Sequence, residues 1–142
     1  MPDFAGQSVA ALAGVETAVV VINAQTGIEL NTTRMMRSAA KRGVCRMILI
    51  NKIDAENADP EGVLRRVQEV FGKECLPINL PAHGRKDVVD CFFTPDGDSD
   101  FSSVKAAHSN LIDQVVEVDE ELMSLYLEQR SEERRVGKEC RL

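Results

Sequence analysis

One stretch of the chain joins an apolar run directly to a polar tetrapeptide: Cys45-Arg46-Met47-Ile48-Leu49-Ile50-Asn51-Lys52-Ile53-Asp54. The segment Met47-Ile48-Leu49-Ile50 contains no polar residue, which is typical of a strand that is buried on both faces of a parallel sheet. The tetrapeptide Asn51-Lys52-Ile53-Asp54 follows it without a spacer. We therefore predict a buried strand with a polar loop at its carboxyl end.

The segments before this stretch show strand and helix patterns in turn. Thr17 to Ile22 is a run of β-branched and small apolar residues, which predicts a second buried strand. From Ile28 to Arg42 apolar residues recur near helical spacing, and Gly43 follows as a typical helix stop. A weaker helical pattern precedes Thr17 and ends at Ala13-Gly14. The expected order is therefore helix, strand, helix, strand.

A further helix and strand are predicted after the tetrapeptide. Pro60 suits the first turn of a helix, Asp59 is a candidate cap, and an apolar stripe runs from Val63 to Phe71. Cys75 to Leu80 is predicted to form a third strand. Its proline cannot donate to a hydrogen-bond ladder, so we expect this segment near a sheet edge or the proline near the start of the strand. This alternation predicts an α/β fold with a partial doubly wound parallel sheet in residues 1–80.

The pattern becomes less regular in residues 81–129, which we interpret as a small α+β insertion. An apolar run from Val88 to Phe93 lies between a polar turn and an acidic loop and predicts a hairpin. Val104 to Leu127 is amphipathic at helical spacing and predicts either one long helix or two helices with a break near Val118-Asp119.

The last residues of the chain, 130–142, differ from everything before them. They are dominated by charged side chains without apolar periodicity, which is typical of a solvated tail. Arg130 to Arg141 also resembles the conceptual translation of a sequencing-library adapter. We therefore predict that residues 130–142 are a non-native tail outside the fold.

Composition bounds the partners and the compartment. The 142 residues have room for one domain, and a formal net charge of -6 argues against unaided binding to nucleic-acid phosphates, which needs a clustered basic surface. No apolar run approaches the roughly 20 residues that cross a bilayer. The four cysteines form no C-x-x-C pair, so neither a zinc site nor a disulfide framework is indicated. We expect a cytoplasmic protein with no membrane partner and no direct nucleic-acid signal.

The tetrapeptide carries side chains that suit a guanine base. The Asp54 carboxylate can accept two hydrogen bonds, from N1–H and the exocyclic amino group of guanine, whereas adenine offers no matching donors. The stem of Lys52 can lie over a purine face, and the Asn51 amide can tie neighbouring loops together. Ligands of doubly wound sheets bind outside the carboxyl ends of the strands, where this loop is placed. A polar turn in which Asn and Asp only cap backbone groups explains the four residues alone equally well.

A wider set of segments carries a family resemblance. Pro2-Asp3-Phe4, the strand from Thr17 to Ile22, Thr26-Gly27 and the run from Cys45 to Asp54 together resemble the second half of the GTP-binding domain of elongation factor G. The likeness is closest to the branch called elongation factor G-like protein, and it covers about residues 2 to 129. It implies a fold of the P-loop GTPase type, in which residues 81–129 match an inserted subdomain.

The resemblance also implies a function. In that family the Asn-Lys-x-Asp loop binds the guanine of GTP or GDP, and this role carries over to Asn51, Lys52 and Asp54. The intact parent would be a ribosomal translation elongation factor that hydrolyses GTP with Mg²⁺. The resemblance assigns no catalytic residue to this chain, because the sequence has no G-x-x-x-x-G-K-S/T phosphate loop and the family's Asp-x-x-Gly would precede Pro2. We therefore expect the isolated chain not to hydrolyse GTP.

Two other readings of function stay open. A signalling or interaction module without nucleotide, such as a phospho-acceptor receiver, can use a similar sheet, but it needs clustered acids after an early strand. Here Ile22 is followed by Asn23-Ala24-Gln25, which contains no carboxylate. A truncated product without a function of its own would expose unpaired strand edges.

No metal site is predicted. The acidic loop from Asp96 to Asp100 lacks the later glycine and glutamate of a calcium-binding loop. His83 and His108 have no cysteine or carboxylate at metal-ligand spacing, so both are read as surface histidines. Cys45, in a predicted strand, is read as a small buried hydrophobic residue.

Overall fold

The computed structural model describes residues 5–139 and is a mixed α/β structure with a parallel pair of strands. Pro2, Asp3 and Phe4, which contribute to the family resemblance, and residues 140–142 of the predicted tail lie outside the described residues. The elements are α1 (Ala5–Ala11), a 3₁₀ turn (Leu12–Gly14), β1 (Thr17–Asn23), α2 (Leu30–Lys41), β2 (Cys45–Asn51), α3 (Pro60–Phe71), β3 (Asn79–Ala82), β4 (Asp87–Asp90), α4 (Val104–Val116) and α5 (Glu120–Glu139).

The two parallel strands are in full register. The pairing runs from Thr17 opposite Cys45 to Asn23 opposite Asn51, so the two strands end at the same level. The chain crosses from β1 to β2 through α2, as a parallel pair requires a long connection. The predicted succession of strand, helix and strand is confirmed.

Helix α2 begins and ends with specific caps. The Glu29 carboxylate accepts a hydrogen bond from the backbone of Thr32, and the Thr32 hydroxyl is bonded to the Glu29 N–H, a capping box. At the other end Gly43 has a φ of 67°, and Val44 N–H donates to the Ala39 carbonyl at 3.1 Å, a Schellman motif. The predicted stop at Gly43 is confirmed.

Helix α3 covers one face of the parallel pair. The Asp59 side chain accepts a hydrogen bond from Gly62 N–H at 2.9 Å, which confirms the predicted cap. Behind this cap, Val63 and Val67 pack on Ile22 of β1 in a buried cluster. Partly buried side chains complete the cluster: Ile28, Ile48, Ile50, Phe71 and Cys75. Burial of apolar side chains on this face holds helix and strands together.

The other face of the parallel pair is exposed, contrary to the prediction that both strands are buried on both faces. Val19 and Val21 of β1 are 52% and 58% exposed, and Met47 and Leu49, which lie opposite them in β2, are each 45% exposed. No core cluster of the described residues includes these side chains. The strands carry apolar side chains on both faces, but the described helices cover only one of these faces.

The predicted third parallel strand, Cys75 to Leu80, is wrong. Cys75 to Ile78 is not in a strand, and β3 begins only at Asn79. It pairs with β4 in a separate two-stranded sheet, and the four-residue turn between them fits only an antiparallel hairpin. The proline in the predicted strand removes a ladder donor, which is consistent with the later start.

Two compact units divide the chain. One contains the residues up to Cys75 together with His83–Asp87, and the other contains Leu76–Ala82 and the residues from Val88 onward. The second unit has its own core, formed by side chains of the hairpin region and α4: Leu80, Cys91, Val104, Ala107 and Leu111. The structure thus contains the predicted hairpin, which is formed by β3 and β4.

Helices α4 and α5 are separated at the predicted break. The Asp119 side chain accepts hydrogen bonds from the N–H groups of Glu121 and Leu122 at 2.9 and 3.1 Å, and so caps the start of α5. The backbone of α5 continues to Glu139, into the segment predicted to be a tail. Glutamate, arginine and lysine are good helix formers, which accounts for this continuation without an apolar stripe. The non-native origin of residues 130–142 stays a prediction.

The one-sided burial of β1 predicts unequal effects for neighbouring residues. Ile22→Ala removes a side chain that is 1% exposed and should lower the free energy of unfolding by about 2–5 kcal/mol. Val21→Ala, at a position that is 58% exposed, should change it by about 0.5 kcal/mol. Urea unfolding of both variants measures the difference. Equal losses would show that the Val21 face is also packed.

Candidate functional site

The candidate site lies where β1 and β2 end. Asn51 is the last residue of β2 and lies opposite Asn23, the last residue of β1. One step further, Ala24 N–H donates to the Asn51 carbonyl at 2.9 Å. The chain after β1 is therefore bonded to β2 at the residue where the polar loop begins, and this fixes the starting point of the loop.

The polar loop from Asn51 to Ala58 is compact. The Asn51 side-chain oxygen accepts a hydrogen bond from Lys52 N–H at 2.9 Å, and Lys52 adopts a φ of 58°. Two turns follow, because Ala55 N–H donates to the Lys52 carbonyl at 3.2 Å and Ala58 N–H donates to the Ala55 carbonyl at 3.1 Å. A left-handed conformation costs a residue with a side chain roughly 1–2 kcal/mol, so the loop contacts must hold Lys52 there.

The three residues predicted to bind guanine are brought together in this loop, and their side chains are exposed. The Asn51 amide oxygen is engaged locally with Lys52 N–H. Within residues 5–139, no group forms a hydrogen bond or an ion pair with the Asp54 carboxylate or the Lys52 ammonium group. Both charged groups are therefore available to a ligand, and Asp54 does not act as a backbone cap.

Two side chains from other parts of the same compact unit bind the loop backbone. Gln25 Nε2 donates to the Glu56 carbonyl at 2.7 Å, and Arg85 Nη1 donates to the Ala58 carbonyl at 2.6 Å. These bonds join residues 31 and 27 positions apart. Sequence reasoning missed both residues, because a contact of a side chain with a distant carbonyl leaves no local pattern.

A small cavity adjoins the loop. It has a volume of about 280 Å³, and its lining includes Asn23, Glu29, Thr32, Asn51 and Lys52. Asp54 does not line it. A larger cavity of about 500 Å³ lies along α1, β1 and α2 and contains no residue of the tetrapeptide. The chemistry of the loop, and not cavity size, therefore identifies the candidate site.

The histidines and cysteines of the described residues lie outside the polar loop. His108 is half-buried, and its Nδ1 lies 3.0 Å from the Cys91 carbonyl oxygen, so it is not the surface histidine that was predicted. Cys45 is exposed, contrary to the prediction that it is buried, because it opens β2. Burial raises the pKa of the Cys75 thiol, and the Glu74 carboxylate adds to the increase.

In the part of the chain that the structure describes, no group of three His, Cys, Asp or Glu side chains could hold a metal ion.

Comparison with known proteins identifies the family. The family model of the elongation factor Tu GTP binding domain matches residues 2–136. The chain belongs to this family. Membership implies guanine-nucleotide binding, and it confirms the resemblance to translation GTPases that the sequence showed.

Individual relatives agree with the family assignment. Elongation factor G of Mycoplasma pneumoniae is 29% identical over 89% of this chain and 21% of its own length. Peptide chain release factor 3 of Enterococcus faecalis is 28% identical over 93% of this chain and 29% of its own length. A crystal structure of a Thermus thermophilus protein covers 91% of this chain and 22% of its own, with 27% identity and a TM-score of 0.74. This chain thus spans less than a third of the length of each.

These comparisons do not favour a nucleotide-free signalling or interaction module. They support a GTP-binding domain of the kind found in translation factors.

Proposed function

We propose that this chain provides the guanine-recognition part of a translation GTPase with a doubly wound P-loop GTPase fold. The observation that carries the proposal is the exposed Asp54 carboxylate, which has no partner within residues 5–139 and follows a parallel strand at its carboxyl end. Ligands of such sheets bind at this edge. A free carboxylate there offers two acceptor oxygens in the geometry that guanine N1–H and its amino group require.

Each residue of the site has a separate role. Asp54 reads the edge of guanine, and the aliphatic stem of Lys52 lies over the face of the base while its ammonium group stays in water. Asn51 holds the turn, because its side-chain oxygen accepts the Lys52 N–H. The left-handed backbone of Lys52 directs the loop away from the strand.

The remaining parts of the function belong to the intact parent. Phosphate binding in P-loop GTPases uses a G-x-x-x-x-G-K-S/T loop, which this sequence does not contain. We propose that the intact parent binds GTP with Mg²⁺, and among the described residues no group of three His, Cys, Asp or Glu side chains could hold a metal ion. We propose GTP and GDP as ligands and the ribosome as the partner of the parent in the cytoplasm. Of the described helices, none is long and apolar enough to span a bilayer.

Asp54→Asn should change the base preference of the chain. An amide has one acceptor and one donor group, so it loses a charged hydrogen bond to guanine and can instead donate to the carbonyl oxygen that xanthine carries in place of the guanine amino group. The affinity for GDP should fall about tenfold or more, and the affinity for xanthosine diphosphate should rise. Amide shifts in nuclear magnetic resonance titrations at millimolar nucleotide measure both affinities.

Asp59→Asn is the matched control for this substitution. It removes the same negative charge from a residue outside the tetrapeptide, and asparagine caps a helix as well as aspartate does. It should leave the base preference unchanged. If Asp54→Asn also leaves the preference of GDP over xanthosine diphosphate unchanged, Asp54 does not read the base.

The isolated chain should bind GTP weakly and should not hydrolyse it. Catalysis of phosphoryl transfer depends on positioning and charge stabilisation at the phosphates, for which the sequence has no phosphate loop. Isothermal titration and a phosphate-release assay on the purified chain test this. Tight binding with measurable phosphate release would contradict the prediction.

A further inference from the structure

Gln25 lies in a turn after β1 that is itself well fixed. Gln25 N–H donates to the Asn23 side-chain oxygen at 2.9 Å, and Gly27 N–H donates to the Asn23 carbonyl at 2.8 Å. Gly27 adopts a φ of 72°, which glycine tolerates without strain. The Gln25 side chain therefore extends from an ordered base, and its amide reaches the Glu56 carbonyl at 2.7 Å.

This hydrogen bond is made to the middle of the polar loop. Ala24 is bonded to both sides of the loop, through the Asn51 carbonyl at 2.9 Å and through the N–H of Asp59, the residue after the loop, at 3.3 Å. Between these two bonds, side chains from other segments bind the loop at two carbonyls, Arg85 at Ala58 and Gln25 at Glu56. Of the bonds within the described chain, the one from Gln25 is the only one that joins residues 52–57 to a different segment. It acts on Glu56, two residues after Asp54.

We infer that Gln25 is a positioning residue for guanine recognition, a role that rests on the function proposed above. Its side-chain amide holds the Glu56 carbonyl and so fixes the two turns that place Lys52 and Asp54. Without this bond, the middle of the loop keeps only its internal hydrogen bonds, and the left-handed conformation of Lys52 is less restrained. The residue is exposed, and among the described residues its side chain forms no hydrogen bond with the tetrapeptide, so it acts through the loop.

The test compares side chains of similar length that differ in the ability to donate. Gln25→Met keeps the length and removes the donor, whereas Gln25→Lys restores a donor at similar reach. Gln68→Met is the matched control, because Gln68 Nε2 donates in the same way to a backbone carbonyl, that of Cys75 at 3.0 Å, outside the polar loop. All variants are made in the complete 142-residue chain.

Two readouts are measured by nuclear magnetic resonance. The first, without nucleotide, is the amide shift and hydrogen exchange of residues 52–58, which Gln25→Met should change while Gln25→Lys and Gln68→Met leave it close to the original. The second is titration with GDP and, for comparison, ADP. Gln25→Met should weaken GDP binding roughly two- to tenfold, the range expected for loss of one net hydrogen bond. Gln25→Lys should recover most of the affinity.

The outcomes separate this inference from the proposed function. An unchanged loop in Gln25→Met overturns the inference, whatever the nucleotide data show. A changed loop with unchanged GDP affinity also overturns it, because the bond would then be structural only. A changed loop in a chain that shows no preference for GDP over ADP supports the effect of Gln25 on the loop and contradicts guanine recognition. A changed loop with weaker GDP binding, recovered by lysine, supports both.

Discussion

The parallel register of β1 and β2 is the constraint on which the candidate site depends. Because Asn23 lies opposite Asn51, the turn after one strand and the polar loop after the other leave the sheet side by side. The bond from Ala24 N–H to the Asn51 carbonyl extends this register by one residue. A shift of one residue would turn the side chains of β2 to the opposite face and move the loop away from Gln25. The register is stabilised by burial of Ile22 against α3, so packing on one face determines the geometry at the edge.

Local signals in the sequence predicted most of the first unit. Gly43 as a helix stop, Asp59 as a cap and the apolar runs of both strands each act within a few residues, and each is found in the structure. The predicted strand from Cys75 to Leu80 failed because its apolar residues fit a strand, an irregular segment and a hairpin start equally well. Which strand pairs with which depends on distant contacts, which a single sequence does not display.

The candidate site also contains some residues that the sequence predicted and others that only the structure shows. Asn51, Lys52 and Asp54 were found from the sequence because a four-residue motif at the end of a strand has a chemical meaning of its own. Gln25 and Arg85 were not found, since their role is to hold carbonyl groups of Glu56 and Ala58 far along the chain. Glutamine and arginine occur on most surfaces, and only the folded structure shows which carbonyls they reach. Side chains proposed to bind a ligand are therefore easier to predict from a sequence than side chains that hold the backbone of the loop.

The proposed function separates base recognition from phosphate binding, and this separation would make the edge specific for guanine without tight binding of the nucleotide. Two hydrogen bonds to a carboxylate distinguish guanine from adenine, but an exposed carboxylate is also well hydrated, so the net gain in affinity is small. The negative phosphates gain nothing from Asp54, and the chain carries a net charge of -6. In the proposed function, affinity for the whole nucleotide therefore comes from backbone N–H groups and cations at the phosphates in the intact parent. In the proposed function the loop from Asn51 to Ala58 selects the base, and we infer that the hydrogen bonds holding this loop determine how well it does so.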